Sequence, residues 1–211
     1  MNGNVLAGRH VLIAAAGEGL GRELAVGLAA EGANVSVTTR HSDVAEEVTA
    51  NSILNECWSY GRDGHALRIE LTDLDAVSSA LEQLEQDLSP IDVLINLAFD
   101  LQPTTKSEIT AQDWSTAIGN GAEPAFVLAR AIGPLMCTRR KGCITSVLPT
   151  TRNTPSEAPV RAARAAVVGL CEGLDSEWKN LGISVMWTNK APALELITLL
   201  KSYVDTETQT S

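Results

Sequence analysis

No apolar run in this 211-residue chain lasts long. Each is broken by a charge or a glycine within about a dozen residues, well short of a membrane span. The first ten residues lack the basic start, apolar run and small-residue cleavage site of a secretory leader. No C-x-x-C pair occurs among Cys57, Cys137, Cys143 and Cys171, and His10, His41 and His65 are just as scattered. That spacing argues against a disulfide framework and against a metal site, and free thiols fit a reducing cytoplasm, the expected location. Positive charge is scarce: 16 Lys and Arg stand against 26 Asp and Glu, for a net −10. Such a balance disfavours nucleic acid and anionic membrane as partners, and its plain meaning is solubility. Repeats, low-complexity blocks and linkers are missing too. The length suits one α/β domain, expected over residues 1–204 with a disordered polar tail at 205–211.

What the chain does contain is an alternation of periods. Residues 10–16 form a short apolar run that stops at glycine, as a buried parallel strand does. Residues 19–31 then carry Leu20, Leu24, Leu28 and Ala29 at helical spacing and stop at Gly32. The same switch repeats along the chain. Strands are expected at 34–39, 65–71, 91–98, 143–148 and 183–188, and helices at 43–59, 74–88, 113–119, 123–138, 158–179 and 193–203. Asp43 caps the second helix and Thr72-Asp73 the third. Six strands alternating with helices imply a Rossmann-like, doubly wound parallel sheet with helices on both faces. Ligands bind such sheets beyond the strands' carboxyl ends, which places the site after the first, fourth and fifth strands.

The first strand opens into Ala14-Ala15-Ala16-Gly17-Glu18-Gly19-Leu20-Gly21. Glycines there let a backbone approach a pyrophosphate, and the helix that follows offers free N–H groups. The turn resembles the T-G-x-x-x-G-[IL]-G loop of the short-chain dehydrogenases/reductases, with Ala15 in place of the first glycine. Further motifs match in order. Gly32-Ala33-Asn34-Val35 resembles G-A-x-V, and Glu70-Leu71-Thr72-Asp73 resembles D-V-[TS]-D. Asp92-Val93-Leu94-Ile95-Asn96-Leu97-Ala98 resembles D-x-L-[VI]-N-N-A-G. Trp114 fits a helix-starting tryptophan, and Ala165-Ala166-Val167-Val168-Gly169-Leu170 resembles K-A-A-[LV]-x-G-[LF]. The likeness covers roughly residues 8–192, and the chain is identified as a divergent member of that family. It implies a site for NAD or NADP at Ala15, Gly17, Gly19, Leu20, Gly21, Arg40, Glu70, Leu71, Asn96 and Ala98, and no metal.

The likeness also implies an Asn-Ser-Tyr-Lys catalytic set, and here the chain departs. The family's tyrosine, its general acid/base, falls on Val160, and its lysine falls on Arg164. Valine has no proton to give, and arginine, with a pKa above ~12, cannot shuttle one. The serine falls on Pro149, with Thr150 and Thr151 nearby, and the asparagine on Gly121, next to Asn120. No catalytic residue is therefore assigned. Positioned acid–base chemistry is worth ~10²–10⁴-fold and oxyanion stabilisation a further ~10²–10³-fold. Glu123, Asp100 and Tyr60 are the conceivable substitutes, though no spacing singles one out. Phe99 would put a ring where the nicotinamide half needs bare backbone. Arg40, following Thr39, favours NADP, whereas Glu18 before Gly19 opposes a 2′-phosphate. After Ala191-Pro192-Ala193 the family's substrate-covering lid and seventh strand find no counterpart, which leaves the site open to water. One dimer surface of the family survives, the helices at 120–139 and 158–179, where Ala162, Ala163, Ala165 and Ala166 would serve either close helix packing or the sheet.

Two functions remain open. One is a non-catalytic, regulatory or completing subunit within a homo- or hetero-oligomer. The other is an NADP-dependent oxidoreductase of the carbonyl reductase or alcohol dehydrogenase class with substitute residues. A non-redox enzyme has nothing specific in its favour.

Overall fold

The computed structural model describes residues 5–99, 109–148, 158–189 and 192–209, with side chains in the last helix to residue 204. Its strands are β1 (His10–Ala14), β2 (Asn34–Thr38), β3 (Ala66–Leu67), β4 (Val93–Asn96), β5 (Gly142–Leu148) and β6 (Ile183–Asn189). They form one parallel sheet in the order β3-β2-β1-β4-β5-β6. The order reverses between β1 and β4, which is where a doubly wound sheet opens a crevice.

Alternation sorts each strand's side chains to two faces. Val11, Ile13, Val35, Val37, Val93 and Ile95 pack with helices α1 (Leu20–Ala30), α2 (Val44–Ser59) and α7 (Ala193–Gln209). Leu12, Ala14, Leu94, Ile144 and Leu148 pack on the other face with α3 (Leu74–Asp87), α5 (Glu123–Arg139) and α6 (Ala158–Trp178). All five β1 residues are buried, as an uninterrupted apolar central strand requires.

Several expected boundaries move. The third strand shrinks from 65–71 to Ala66–Leu67, because Thr39 takes its place further on: the Thr39 hydroxyl donates to the Ile69 carbonyl and accepts from the Ile69 N–H, both at 3.0 Å. The helices expected at 113–119 and 123–138 are one continuous body. Here α4 (Ala111–Ala117) runs through a π-helical turn, Ile118–Ala122, into α5. Asp43 and Asp73 cap α2 and α3 as expected, and Thr110 forms a capping box with Asp113 on α4. The tail from 205 on is not disordered throughout, since α7 remains helical to Gln209. Three residues separate β6 from α7. That helix then lies on α1, with Ile197 over Gly27 and Lys201 paired to Glu31 at 2.7 Å.

Candidate functional site

At the carboxyl end of β1 the chain turns tightly into α1. Ala15 sits at φ 57°, left-handed for a residue with a Cβ, on the position where the motif has glycine. Its N–H donates to the Thr38 hydroxyl at 3.1 Å, and the Ala16 N–H donates to the Thr38 carbonyl at 3.0 Å. Gly19, at φ 71°, is the N-cap residue of α1, and this helix has no side-chain cap. The Arg22 N–H donates back to the Gly17 carbonyl at 3.1 Å, and the uncapped N-terminus offers its remaining first-turn N–H groups, with the positive end of the helix dipole, to an anion. Gly21 faces the turn so closely that a Cβ would lie 2.9 Å from the Ala16 Cα. Gly17 is exposed and unconstrained, and Leu20 is half-buried against the α1 core. The residues present would fit a pyrophosphate.

Beside the turn lies a cleft of about 310 Å³ lined by Arg40, His41, Glu70, Leu71, Thr72, Gly119, Asn120, Glu123 and Pro124. Arg40 reaches from the end of β2 to the Ala98 carbonyl beyond β4, so its side chain bridges the ends of the strands that flank β1. Its backbone N–H donates to Glu46 at 2.6 Å. Glu70 pairs with His41 at 3.1 Å and accepts from Thr72 at 3.1 Å. The Leu71 side chain is buried, and its N–H donates to the Arg40 carbonyl. Asn96 is buried, accepting from the Ala98 N–H at 2.9 Å and reaching Ser146 at 3.4 Å. Thr39 is turned inward onto Ile69 and does not line the cleft.

Glu18 is not a loose charge at the glycine turn. Arg22 grips it with two bonds, Nε to Oε2 at 2.9 Å and Nη2 to Oε1 at 2.8 Å, and that hydrogen bonding lowers the Glu18 pKa. Arg22 also reaches Ser52 at 3.2 Å and Glu56 on α2.

The positions where the family would keep its chemistry lie on α6 and its surroundings. Val160 is half-buried, and Arg164 follows one turn later on the same face. Arg164 donates to Asn189 at 2.8 Å and stands 5.4 Å from the centre of the Trp187 ring, both at the end of β6. Partial burial lowers its pKa. Gly121 is buried in the π-helical turn, whereas its neighbour Asn120 is exposed and lines the cleft. Of the two, Asn120 is the one at the cleft, in a π-helical turn that sequence spacing does not reveal. Pro149, Thr150, Thr151 and Asp100 lie outside the described residues.

Three other expectations need correction. The Phe99 ring does not project as a plug: it is 7% exposed and packs into the core with Ala98 and Ala125. Tyr60 ends α2, far from the strands' carboxyl ends, and is no substitute acid. Among the alanines of α6, Ala163 is buried on the sheet, while Ala165 and Ala166 are exposed.

The short chain dehydrogenase family profile matches residues 9–194. The chain belongs to the short-chain dehydrogenase family. Among its relatives is gluconate 5-dehydrogenase of Gluconobacter oxydans, 28% identical over 182 residues, 85% of this chain and 69% of that protein. The 3-oxoacyl-(acyl-carrier-protein) reductase of Staphylococcus aureus is 28% identical over 180 residues, 84% of this chain and 71% of that one. A solved gluconate 5-dehydrogenase from Burkholderia cenocepacia, in complex with NADP and tartrate, is similar with a TM-score of 0.78 at 25% identity. It covers 89% of this chain, which spans 72% of it. Among the described residues of this short-chain dehydrogenase, no helix is long and apolar enough to cross a membrane, and no cluster of side chains could hold a metal ion.

Proposed function

We propose that this short-chain dehydrogenase binds a dinucleotide without performing the family's hydride transfer, serving as a regulatory or completing subunit of an oligomer. The observation that carries the reading is the pair Val160 and Arg164. At the site of the acid/base pair stand a hydrocarbon and a guanidinium already engaged by Asn189 and Trp187. The turn through Ala15, Gly17, Gly19, Leu20 and Gly21 would hold the pyrophosphate. Arg40, Glu70, Leu71, Asn96 and Ala98 would flank the adenosine half, with Arg40 favouring NADP and the Arg22-bound Glu18 opposing it less than its charge suggests. A bound nicotinamide would supply a hydride acceptor or donor, but no described side chain at 160 or 164 can move the matching proton.

Calorimetric titration with NADPH and with NADH tests this. Micromolar binding of either supports the cradle; no binding at millimolar concentration refutes it and leaves a purely structural domain. The companion experiment restores the family pair, Val160→Tyr with Arg164→Lys. Carbonyl reduction gained by the double variant, with none in the parent, is the expected result. Turnover in the unmodified chain would favour the second reading, an NADP-dependent oxidoreductase with substitute groups, for which Asn120 and Glu123 in the cleft are the specific observation.

Oligomerisation is assigned to α5 and α6. Phe126 is 52% exposed on α5, and a Cβ at Gly169 or Gly173 on α6 would meet nothing within 4 Å. Two glycines inside an exposed helix cost stability with no return within the subunit, whereas a partner helix at close range would use them. A monomeric mass by light scattering would refute the assignment.

A further inference from the structure

We infer that Arg22 governs which dinucleotide the glycine turn accepts, by clamping the Glu18 carboxylate along α1 and α2 and away from the adenosine cleft. The inference rests on the binding reading above. It starts from the place of Arg22, which stands where a literal G-x-G-x-x-G would have its last glycine. From the first turn of α1 it reaches Ser52 and Glu56, eight and twelve residues into α2 from Val44. At 1.5 Å per residue those groups lie roughly 12 and 18 Å along α2 from the end nearest the strands' carboxyl edge. A guanidinium anchored there pulls whatever it binds outward along the helix pair. What it binds with two parallel bonds is Glu18, and neither Glu18 nor Arg22 lines the cleft that holds Arg40, His41 and Glu70.

The consequence is electrostatic. Glu18 is adjacent to the N-cap of α1, where under the binding reading an unpaired carboxylate would repel a 2′-phosphate. Held in a fork by Arg22, both its oxygens are occupied and its charge is partly offset. Glu56 takes part in the same cluster, so the guanidinium faces two carboxylates and is itself held in place. Arg22 is therefore a positioning residue: it lies outside the cleft lining and acts through Glu18. NADPH, with the extra phosphate, should feel the clamp, and NADH should not.

The test compares dissociation constants for NADPH and NADH, by fluorescence titration at fixed low ionic strength, across the unmodified protein, Arg22→Ala, Glu18→Gln and the double variant. Two like charges a few ångströms apart in water are worth a factor of about five. Arg22→Ala should therefore weaken NADPH by about three- to fivefold and leave NADH within twofold. The double variant should return NADPH to the level of Glu18→Gln, because without the carboxylate the clamp has nothing to hold. Raising salt should shrink the Arg22→Ala effect. Equal weakening of both dinucleotides, no weakening at all, or a double variant as weak as Arg22→Ala would each overturn the inference while leaving the binding reading intact. If the unmodified protein binds neither dinucleotide, both fall.

Discussion

Substituting Gly21 by alanine sets two opposing effects against each other at the candidate site. Alanine is the better helix former, and in a helix interior the exchange is worth about 1 kcal/mol in its favour. Gly21 is only the second residue of α1, so the gain there is smaller. Against it, the new Cβ would lie 2.9 Å from the Ala16 Cα and 3.1 Å from its carbonyl carbon. These are backbone atoms, and the backbone is not free to give: the Ala16 N–H is fixed on the Thr38 carbonyl, and the Ala15 N–H on the Thr38 hydroxyl. Overpacking of this kind costs about 1–3 kcal/mol, so the clash wins. The expected net loss is about 1 kcal/mol, a Tm lower by about 2–4 °C for a domain of this size. Gly17→Ala is the internal control, since its Cβ would meet nothing within 4 Å, and its Tm should match the parent's. Calorimetric melts of the three proteins, followed by NADPH titration, give the answer. Affinity should fall at least tenfold in Gly21→Ala, because the turn must move. A Gly21→Ala protein as stable as the parent, or more so, would show that the α1–turn contact is looser than the structure has it and would refute the reasoning.

Four further outcomes follow from other parts of the molecule. His10 is buried, with its ring nitrogens at 2.8 Å from the Ser89 carbonyl and 2.9 Å from the Ser36 hydroxyl, and burial lowers its pKa below the ordinary 6.5. The unfolded chain then takes up a proton that the folded one refuses, so stability is full above about pH 6.5 and declines as pH falls from there; His10→Gln should flatten denaturant midpoints over that window. Asp92 acts in a lower one: burial raises its pKa, but Lys141, the His10 N–H and Arg9 together bring it below 3.8, so its contribution disappears only in stronger acid. Thiol labelling of the folded protein should modify Cys137 first, as Cys57, Cys143 and Cys171 are buried and desolvation pushes the Cys57 thiol up to about 11; early labelling of Cys57 would contradict the packing of α2. Gly169→Leu should lower the oligomer's mass on light scattering while leaving the helix content intact, because the side chain meets open space within the subunit, and an unchanged mass would remove α6 from the interface.

The parallel sheet was legible in the sequence because buried parallel strands and amphipathic helices have different periods, and the chain switches between them with glycine at the breaks. Boundaries were less so. Thr39 looks like the last residue of a polar-tipped strand, and only the structure shows its hydroxyl substituting for a ladder on Ile69. The π-helical turn at Ile118–Ala122 was invisible, since Gly119 and Gly121 read as a break between two helices; it is this turn that puts Asn120, not Gly121, at the cleft. Phe99 misled for a related reason. A ring after a strand end can turn to either face, and sequence does not say which of them has room. Glu18 was weighed only for its effect on a 2′-phosphate, yet its i, i+4 partner Arg22 was already in the sequence as a signal for the pairing.

The two halves of the candidate site differ in what they cost the fold, and the difference supports the reading of binding without chemistry. A left-handed alanine at position 15 costs roughly 1–2 kcal/mol relative to an ordinary conformation. Leaving α1 with a glycine and no side-chain cap forgoes a few tenths of a kcal/mol more, while the next three helices all have one. A turn whose only task is to connect β1 to α1 would gain by a glycine at 15 and a cap at 19. Open N–H groups at one loop are what an anion cradle requires and what a plain connection does not; the left-handed alanine is a cost to either. Around Val160 and Arg164 the opposite holds: a valine in the wall of a helix and an arginine bonded to Asn189 and stacked near Trp187 are locally satisfied and carry no such strain.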